Sequence, residues 1–144
     1  MLVKQLMQIQ VVTIHPEETL RRAAERMLSY RVSGLPVVDR PEHMIGLIHF
    51  QDVLHAPFPE VARVRIPGIE SEPSWARRLS LIRVGEIMAT EVVSVQHNDP
   101  LLTAVMLIIE HDVHPLPVLH DGRLVGILSR ATALRAILNY RLEE

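Results

Sequence analysis

The sequence predicts an α/β (α+β) fold: two β-α-β-β-α repeats packed as a pseudo-twofold pair. Three observations predict it. The same order of apolar runs and turns occurs twice, offset by 84 − 3 = 81 residues between Val3 and Val84. Each copy joins short β-branched runs to one stripe of helical period. Each copy also enters a strand through proline and carries a glycine in the next one. Self-similarity at this period marks a duplicated supersecondary unit.

Each copy opens on Val-x-x-x-Met, Val3 to Met7 and Val84 to Met88. The β-branched runs Val11-Val12-Thr13-Ile14 and Val92-Val93-Ser94-Val95 then read as short buried strands. Polar turns follow, His15-Pro16-Glu17-Glu18 and His97-Asn98-Asp99-Pro100. Asp99-Pro100 predicts a helix start with a capping carboxylate and proline at the first helical position. Thr19 or Glu18 must serve in the first copy.

The helices carry apolar residues at i, i+3, i+4, i+7 and i+8: Leu20, Ala23, Ala24, Met27, Leu28 and Leu101, Ala104, Val105, Ile108, Ile109. That spacing is the stripe of a helix packed on a core. Strands entered through Pro36 and Pro117 come next, where proline removes no ladder hydrogen bond. Asp121-Gly122 predicts a hairpin turn. The third strands run through Met44–Ile48 and Leu124–Leu128, and a last helix opens near Gln51 and near Arg130, reaching Leu142 in the second copy. The offset drops to 126 − 46 = 80 at the glycines, which predicts one extra residue in the first copy's turn. The organisation expected is a first repeat over 1–55, a connector over 56–83 packed on the module, and a second repeat over 84–144. Within the connector, Val61-x-x-Val64-x-Ile66 suggests a short strand and Ser74–Ile82 a short helix.

A chain of 144 residues is long enough to bury a core, and with few aromatics that core must come from Val, Leu, Ile, Ala and Met. A net charge of −2 gives no reason to expect nucleic-acid binding. The absence of cysteine excludes disulfides, thiolate metal sites and cysteine nucleophiles. No apolar run is long enough to span a bilayer and no signal-like leader is visible, so a cytoplasmic protein is expected. Glycine-rich phosphate loops, nucleophile elbows and His-Glu-x-x-His are missing, and no serine has an identifiable paired base. No catalytic residues and no enzyme are expected. His111, His114 and His120 form the one cluster of metal-like spacing. The helix should end between the first two, so no metal site is expected.

With these residues in hand, each copy resembles a CBS domain, and the pair resembles a tandem CBS (Bateman) module. The resemblance covers about residues 1–55 and 84–141 and rests on the whole ordered pattern. It implies two related clefts between packed repeats that take adenosine-containing ligands such as AMP, ADP, ATP or S-adenosylmethionine. These act as regulatory ligands, with no cofactor required. It also implies a homodimer formed through the helices. The repeats and connector account for the chain, so regulation of an effector protein is expected to act in trans.

In ligand-binding members of the family, the third strand ends in Gly-apolar-apolar-Ser/Thr-x-x-Asp. A carboxylate can accept from two vicinal ribose hydroxyls, and bonds to an ionised acceptor are the stronger kind. A hydroxyl near a helix N-terminus can donate to phosphate. Here the motif is split. The first copy reads Gly46-Leu47-Ile48-His49-Phe50-Gln51-Asp52, and the second reads Gly126-Ile127-Leu128-Ser129-Arg130-Ala131-Thr132. The resemblance therefore implies a first site of Asp52 and His49 with Thr13, Ser33, Gly34, Leu35 and Pro36. It implies a second site of Ser129, Arg130 and Thr132 with Ser94, His114, Pro115 and Leu116. Thr132 offers a ribose only a neutral hydrogen bond, so the second site should be weaker. A ligand-free scaffold that dimerises and docks a partner is the alternative reading, favoured by the split motif.

Overall fold

The computed structural model describes residues 1–57 and 72–140. The expected strand at Val61–Ile66 and the helix end at Leu142 lie outside the described residues. In chain order, a short 3-10 turn (Val3–Gln5) leads to α1 (Leu20–Tyr30), β1 (Gly34–Arg40), β2 (His43–His49) and α2 (Phe50–His55). Then come α3 (Glu72–Leu81), α4 (Val84–Ile87), β3 (Val95–Gln96), α5 (Leu101–His111), β4 (Leu116–His120), β5 (Arg123–Leu128) and α6 (Arg130–Tyr140). β1 pairs with β2, and β3-β4-β5 form a three-stranded sheet.

The chain folds as two compact units that do not follow the linear repeats. One unit, called here the central unit, comprises Thr13–Asp39 and Ile45–Thr90. The other, the split unit, comprises Met1–Val12, Arg40–Met44 and Glu91–Glu144. Each repeat's leading segment thus belongs to the unit holding the other repeat's body. In the split unit, Val3 N–H donates to the Asp99 carbonyl (2.9 Å) and Lys4 N–H to that of His97 (2.9 Å). In the central unit, Val84 N–H donates to the Glu18 carbonyl (2.8 Å) and Gly85 N–H to that of Pro16 (2.9 Å).

The first strand of each repeat is shorter than its β-branched composition predicts. Val11–Ile14 makes a single parallel bridge, Ile14 with Val37. Ile14 N–H donates to the Pro36 carbonyl (3.1 Å) and the Ile14 carbonyl accepts from Val38 (2.9 Å). The next rungs of a parallel ladder would need N–H groups from Pro36 and Pro16, and proline has none. In the second repeat His97 stands where the first has Pro16, and its N–H donates to the Leu119 carbonyl (2.9 Å). That rung lets Val95–Gln96 form a strand paired with Val118–Leu119.

Both hairpins turn through two residues. Asp121 (φ 50°) and Gly122 (φ 76°) have the backbone of the predicted tight turn. Pro41 and Glu42 (φ 64°) make the other. The residue expected as extra in the first turn therefore lies in β1, which runs five residues from Pro36 to Arg40, whereas β4 runs four from Pro117 to His120.

At the helix starts, Thr19 caps α1 by accepting from Arg22 N–H (3.3 Å). At α5 the expectation fails by one position. Pro100 is itself the cap residue, and the Asp99 carboxylate accepts from Gln96 N–H (3.0 Å), closing the preceding turn instead. Both helices end on a residue in the left-handed region, Arg31 (φ 55°) and Asp112 (φ 49°).

The helical stripes bury only part of their width. Leu20, Ala23 and Met27 of α1 are buried, as are Leu101 and Ala104 of α5. Leu28 (66 % exposed) and Ile109 (68 %), both expected in the core, face solvent in the described chain. The split unit's core joins Val3, Val95, Ala104, Leu116, Val118, Leu128 and Ala133. The central unit buries Ile14, Leu20, Met27, Leu35, Val37, Leu47, Ile48, Val53 and Val84. The helix expected at Ser74–Ile82 is α3. No helix among the described residues is long and apolar enough to cross a membrane.

Candidate functional site

In the central unit the candidate residues gather where β1 starts, β2 finishes and α2 begins. The Ile14–Val37 bridge lays Thr13 beside the start of β1. Gly34, Leu35 and Pro36 are buried in that strand. Phe50, the first residue of α2, donates its N–H to the Ser33 carbonyl (2.8 Å), which pins the loop before β1 to the helix N-terminus. The His49-to-Asp52 turn closes on itself. Asp52 Oδ2 accepts from His49 N–H (2.8 Å) and lies 3.3 Å from His49 Nδ1. The carboxylate thus satisfies one of the amides a helix start leaves unpaired. With its side chain 34 % exposed and about four lone-pair sites on a carboxylate, Asp52 retains acceptor capacity beyond the cap.

The split unit closes the corresponding turn with neutral groups and in the opposite sense, the earlier side chain accepting from the later amide. Ser129 Oγ accepts from Thr132 N–H (3.1 Å) and lies 2.9 Å from Thr132 Oγ1. Arg135 Nη2 reaches Thr132 Oγ1 at 3.4 Å, while Arg130 is exposed at the first position of α6. Ser94 precedes β3, and His114 and Pro115 precede β4, whose first residue Leu116 is buried. β3 and β4 pair in parallel, so Ser94 and the His114-Pro115 segment reach the same end of the sheet.

One contact was not visible in the pattern of apolar residues. Arg26 of α1 donates from Nη1 to the Thr13 carbonyl (2.8 Å) and to Glu18 Oε2 (3.2 Å), and from Nη2 to Glu18 Oε1 (2.9 Å). Glu18 Oε2 also accepts from His15 N–H (2.8 Å). Burial alone would raise the Glu18 carboxyl, but the Arg26 and His15 hydrogen bonds outweigh it and hold it below its ordinary value. The i, i+8 spacing of Glu18 and Arg26, across a helix cap, is the one sequence signal that points to this pair.

Comparison with known proteins bears on the family and the fold. The model of the CBS domain family matches twice, over residues 3–58 and 84–139. A CBS domain-containing protein of Dictyostelium discoideum is 31 % identical over 141 residues, spanning 95 % of this chain and 91 % of its own. The crystal structure of CBSX2 in complex with AMP superposes with a TM-score of 0.76 at 26 % identity, covering 96 % of this chain and 97 % of that one. The CBS domain pair of protein MJ0100, in complex with 5′-methylthioadenosine and S-adenosyl-L-methionine, shares the fold with a TM-score of 0.75 at 20 % identity, covering 97 % and 98 %. With two family matches in tandem and the same fold in solved CBS pairs, this chain belongs to the CBS domain family.

Proposed function

We propose that the protein is a regulatory CBS pair that binds an adenosine-containing ligand, AMP, ADP, ATP or S-adenosylmethionine, at the site around Asp52. The observation that carries this reading is the position of the Asp52 carboxylate. It is solvent-accessible in the first turn of α2, and the Phe50–Ser33 hydrogen bond ties that turn to the loop before β1. Ser33, Gly34, Leu35 and Pro36 supply backbone groups and an apolar wall for adenine, with Thr13 on the neighbouring strand. Asp52 accepts from the ribose hydroxyls and His49 faces the phosphate or its substitute. The AMP complex of a relative at 26 % identity supports the ligand class. The second site, Ser94, His114, Pro115, Leu116, Ser129, Arg130 and Thr132, takes such a ligand more weakly, since it has no carboxylate for the ribose.

The module is not itself an enzyme. It acts in the cytoplasm on an effector protein in trans, and it works as a homodimer. The exposed apolar residues Leu28, Phe50 and Leu54 of the central unit support assembly, as do Leu102, Met106, Ile109, Leu134 and Leu138 of the split unit. A ligand regulates such a module only by preferring one of its arrangements.

The test is a thermal-shift panel with AMP, ADP, ATP, S-adenosylmethionine, NAD and GTP on wild type and Asp52→Asn. Asparagine keeps an acceptor for the His49 amide while removing the charge. Ligand at ~100 times its dissociation constant stabilises by about 2.7 kcal/mol, which is roughly 5 °C or more for a domain this size. A shift with an adenosine ligand that Asp52→Asn abolishes supports the reading. The second reading is a ligand-free scaffold, favoured by the closed Ser129–Thr132 pair. No shift with any ligand at millimolar concentration makes it the better one.

A further inference from the structure

We propose that Arg26 is a positioning residue of the first site, holding the Thr13 strand in the conformation that receives the ligand. The proposal rests on the adenosine-binding reading above and adds to it an asymmetry between the repeats. Residues 13–18 have little regular structure of their own: Ile14 makes one bridge, and prolines at 16 and 36 prevent its extension. The Arg26 fork supplies what the ladder lacks. It binds the Thr13 carbonyl at 2.8 Å and both oxygens of Glu18 at 2.9 and 3.2 Å, and Glu18 in turn holds the His15 amide. Arg26 and Glu18 are only 23 % and 24 % exposed, so solvent competes weakly with these bonds.

The second repeat is built differently. At the 81-residue offset, Leu107 stands in place of Arg26, Ser94 in place of Thr13, and Asp99 in place of Glu18. Asp99 keeps the local half of the job, accepting from Gln96 N–H at 3.0 Å as Glu18 does from His15. Leucine has no donor, so it cannot hold the Ser94 carbonyl. The additional rung from His97 steadies that strand from its other end. The first repeat therefore fixes its ligand-facing strand with a side chain and the second with the backbone. A pre-ordered strand loses less freedom on binding, which strengthens affinity without a new ligand contact.

The experiment compares wild type, Arg26→Leu and Arg26→Lys in the full chain, by calorimetric titration with AMP and S-adenosylmethionine and by amide exchange without ligand. Arg26→Leu, which installs the residue of the second repeat, is expected to weaken the Asp52-dependent site about tenfold, the loss of one charge-assisted hydrogen bond. Arg26→Lys restores part of this loss by reaching the Thr13 carbonyl, which a merely structural role would not do. In the unliganded protein, Ile14 amide exchange speeds up about tenfold in Arg26→Leu while Leu119 exchange is unchanged, for the same bond energy. Unchanged Ile14 exchange overturns the positioning role whether or not a ligand binds. Changed exchange with no wild-type binding of either ligand overturns the adenosine-binding reading while leaving Arg26 as the residue that orders the strand. Equal affinity in wild type and Arg26→Leu, with Ile14 exchange altered, overturns the link between order and binding.

Discussion

Met88 packs its sulfur against the backbone of Gly46: a Cβ built on Gly46 would lie 2.6 Å from Met88 Sδ and 2.8 Å from the Ala89 carbonyl oxygen. The pair joins the leading segment of one repeat to the third strand of the other. The relation has a counterpart, since a Cβ on Gly126 would meet Met7 Sδ at 2.5 Å and the Gln8 carbonyl oxygen at 3.1 Å. The close approach lets backbone pairs form alongside. Leu47 and Ala89 exchange two hydrogen bonds of 2.9 Å, and Gln8 and Ile127 exchange bonds of 2.9 and 3.0 Å.

Gly46→Ala and Gly126→Ala are therefore expected to destabilise by about 1–3 kcal/mol, the usual cost of forcing an extra methyl into packed structure. The thioether can swing aside, but the Ala89 carbonyl is backbone and takes the Leu47–Ala89 pair with it. Urea unfolding measures the cost. A neutral Gly46→Ala would mean that the leading segment is held by contacts other than this one.

The duplication was legible because both copies use the same residue types at nearly the same spacing, and the helices and the Asp121-Gly122 hairpin followed from local chemistry, whereas local chemistry did not choose between Thr19 and Glu18 for the α1 cap and placed the α5 cap one residue early. The exchange of leading segments was not legible. Val-x-x-x-Met and Gly-apolar-apolar show what packs together, but identical patterns in two copies cannot tell which methionine meets which glycine. The first strands were overread because β-branched residues signal burial as well as pairing, and the prolines stop the ladder only once Ile14 is paired with Val37, which puts Pro16 and Pro36 at the donor positions of the next rung on either side. The candidate site residues were readable by type. Their mutual hydrogen bonds, Asp52 to the His49 amide and Thr132 to Ser129, became visible only with the helix starts in place. Arg26 escaped because a charged residue on a helix is ordinarily solvated, and its partner is a carbonyl that sequence does not distinguish from any other.

Burial separates two kinds of position on one helix. Ala23 and Ala104 are fully buried. A glutamate at either place puts an unpaired charge in the core, and a loss of more than about 3 kcal/mol is expected. Leu28→Glu and Ile109→Glu, on exposed positions, should change folding stability by less than about 0.5 kcal/mol while dissociating the proposed homodimer. Urea unfolding and light scattering on the four variants separate these effects. An Ala23→Glu protein as stable as wild type would contradict the α1 packing, and dimers that survive both leucine and isoleucine changes would move the interface elsewhere.

His97 and His120 stack edge to face with ring centroids 3.9 Å apart. Burial, then His120 and Lys4, push the His97 imidazole below its ordinary value, against a smaller upward pull from Asp121. A depressed histidine favours its neutral form in the folded protein. Its contribution is present above the unfolded value of about 6.5 and disappears as the pH falls through the folded one. Ring-proton NMR should find His97 titrating below the ordinary histidine range in wild type and moving upward in His120→Asn. A His97 titration that ignores the His120 change would refute the coupling.

Glu18 gives the chain an acid-sensitive tie between α1 and the Thr13 strand. Its folded value lies below the ordinary carboxylate range because the Arg26 and His15 bonds prevail over burial. The sign follows directly: the stabilisation is complete above the unfolded value and disappears as the pH falls through that value and then the folded one. Glu18→Gln keeps the shape and removes the charge. At neutral pH it should cost about 1 kcal/mol, the charge-assisted bonds being partly offset by solvent at a site a quarter exposed. As the pH is lowered through the carboxylate range, wild type should lose stability and Glu18→Gln much less, so the two unfolding curves converge. Circular-dichroism urea titrations at several pH values test this. Parallel curves would show that Glu18 is not the group whose protonation loosens the central unit, and that Arg26 holds the Thr13 carbonyl without its help.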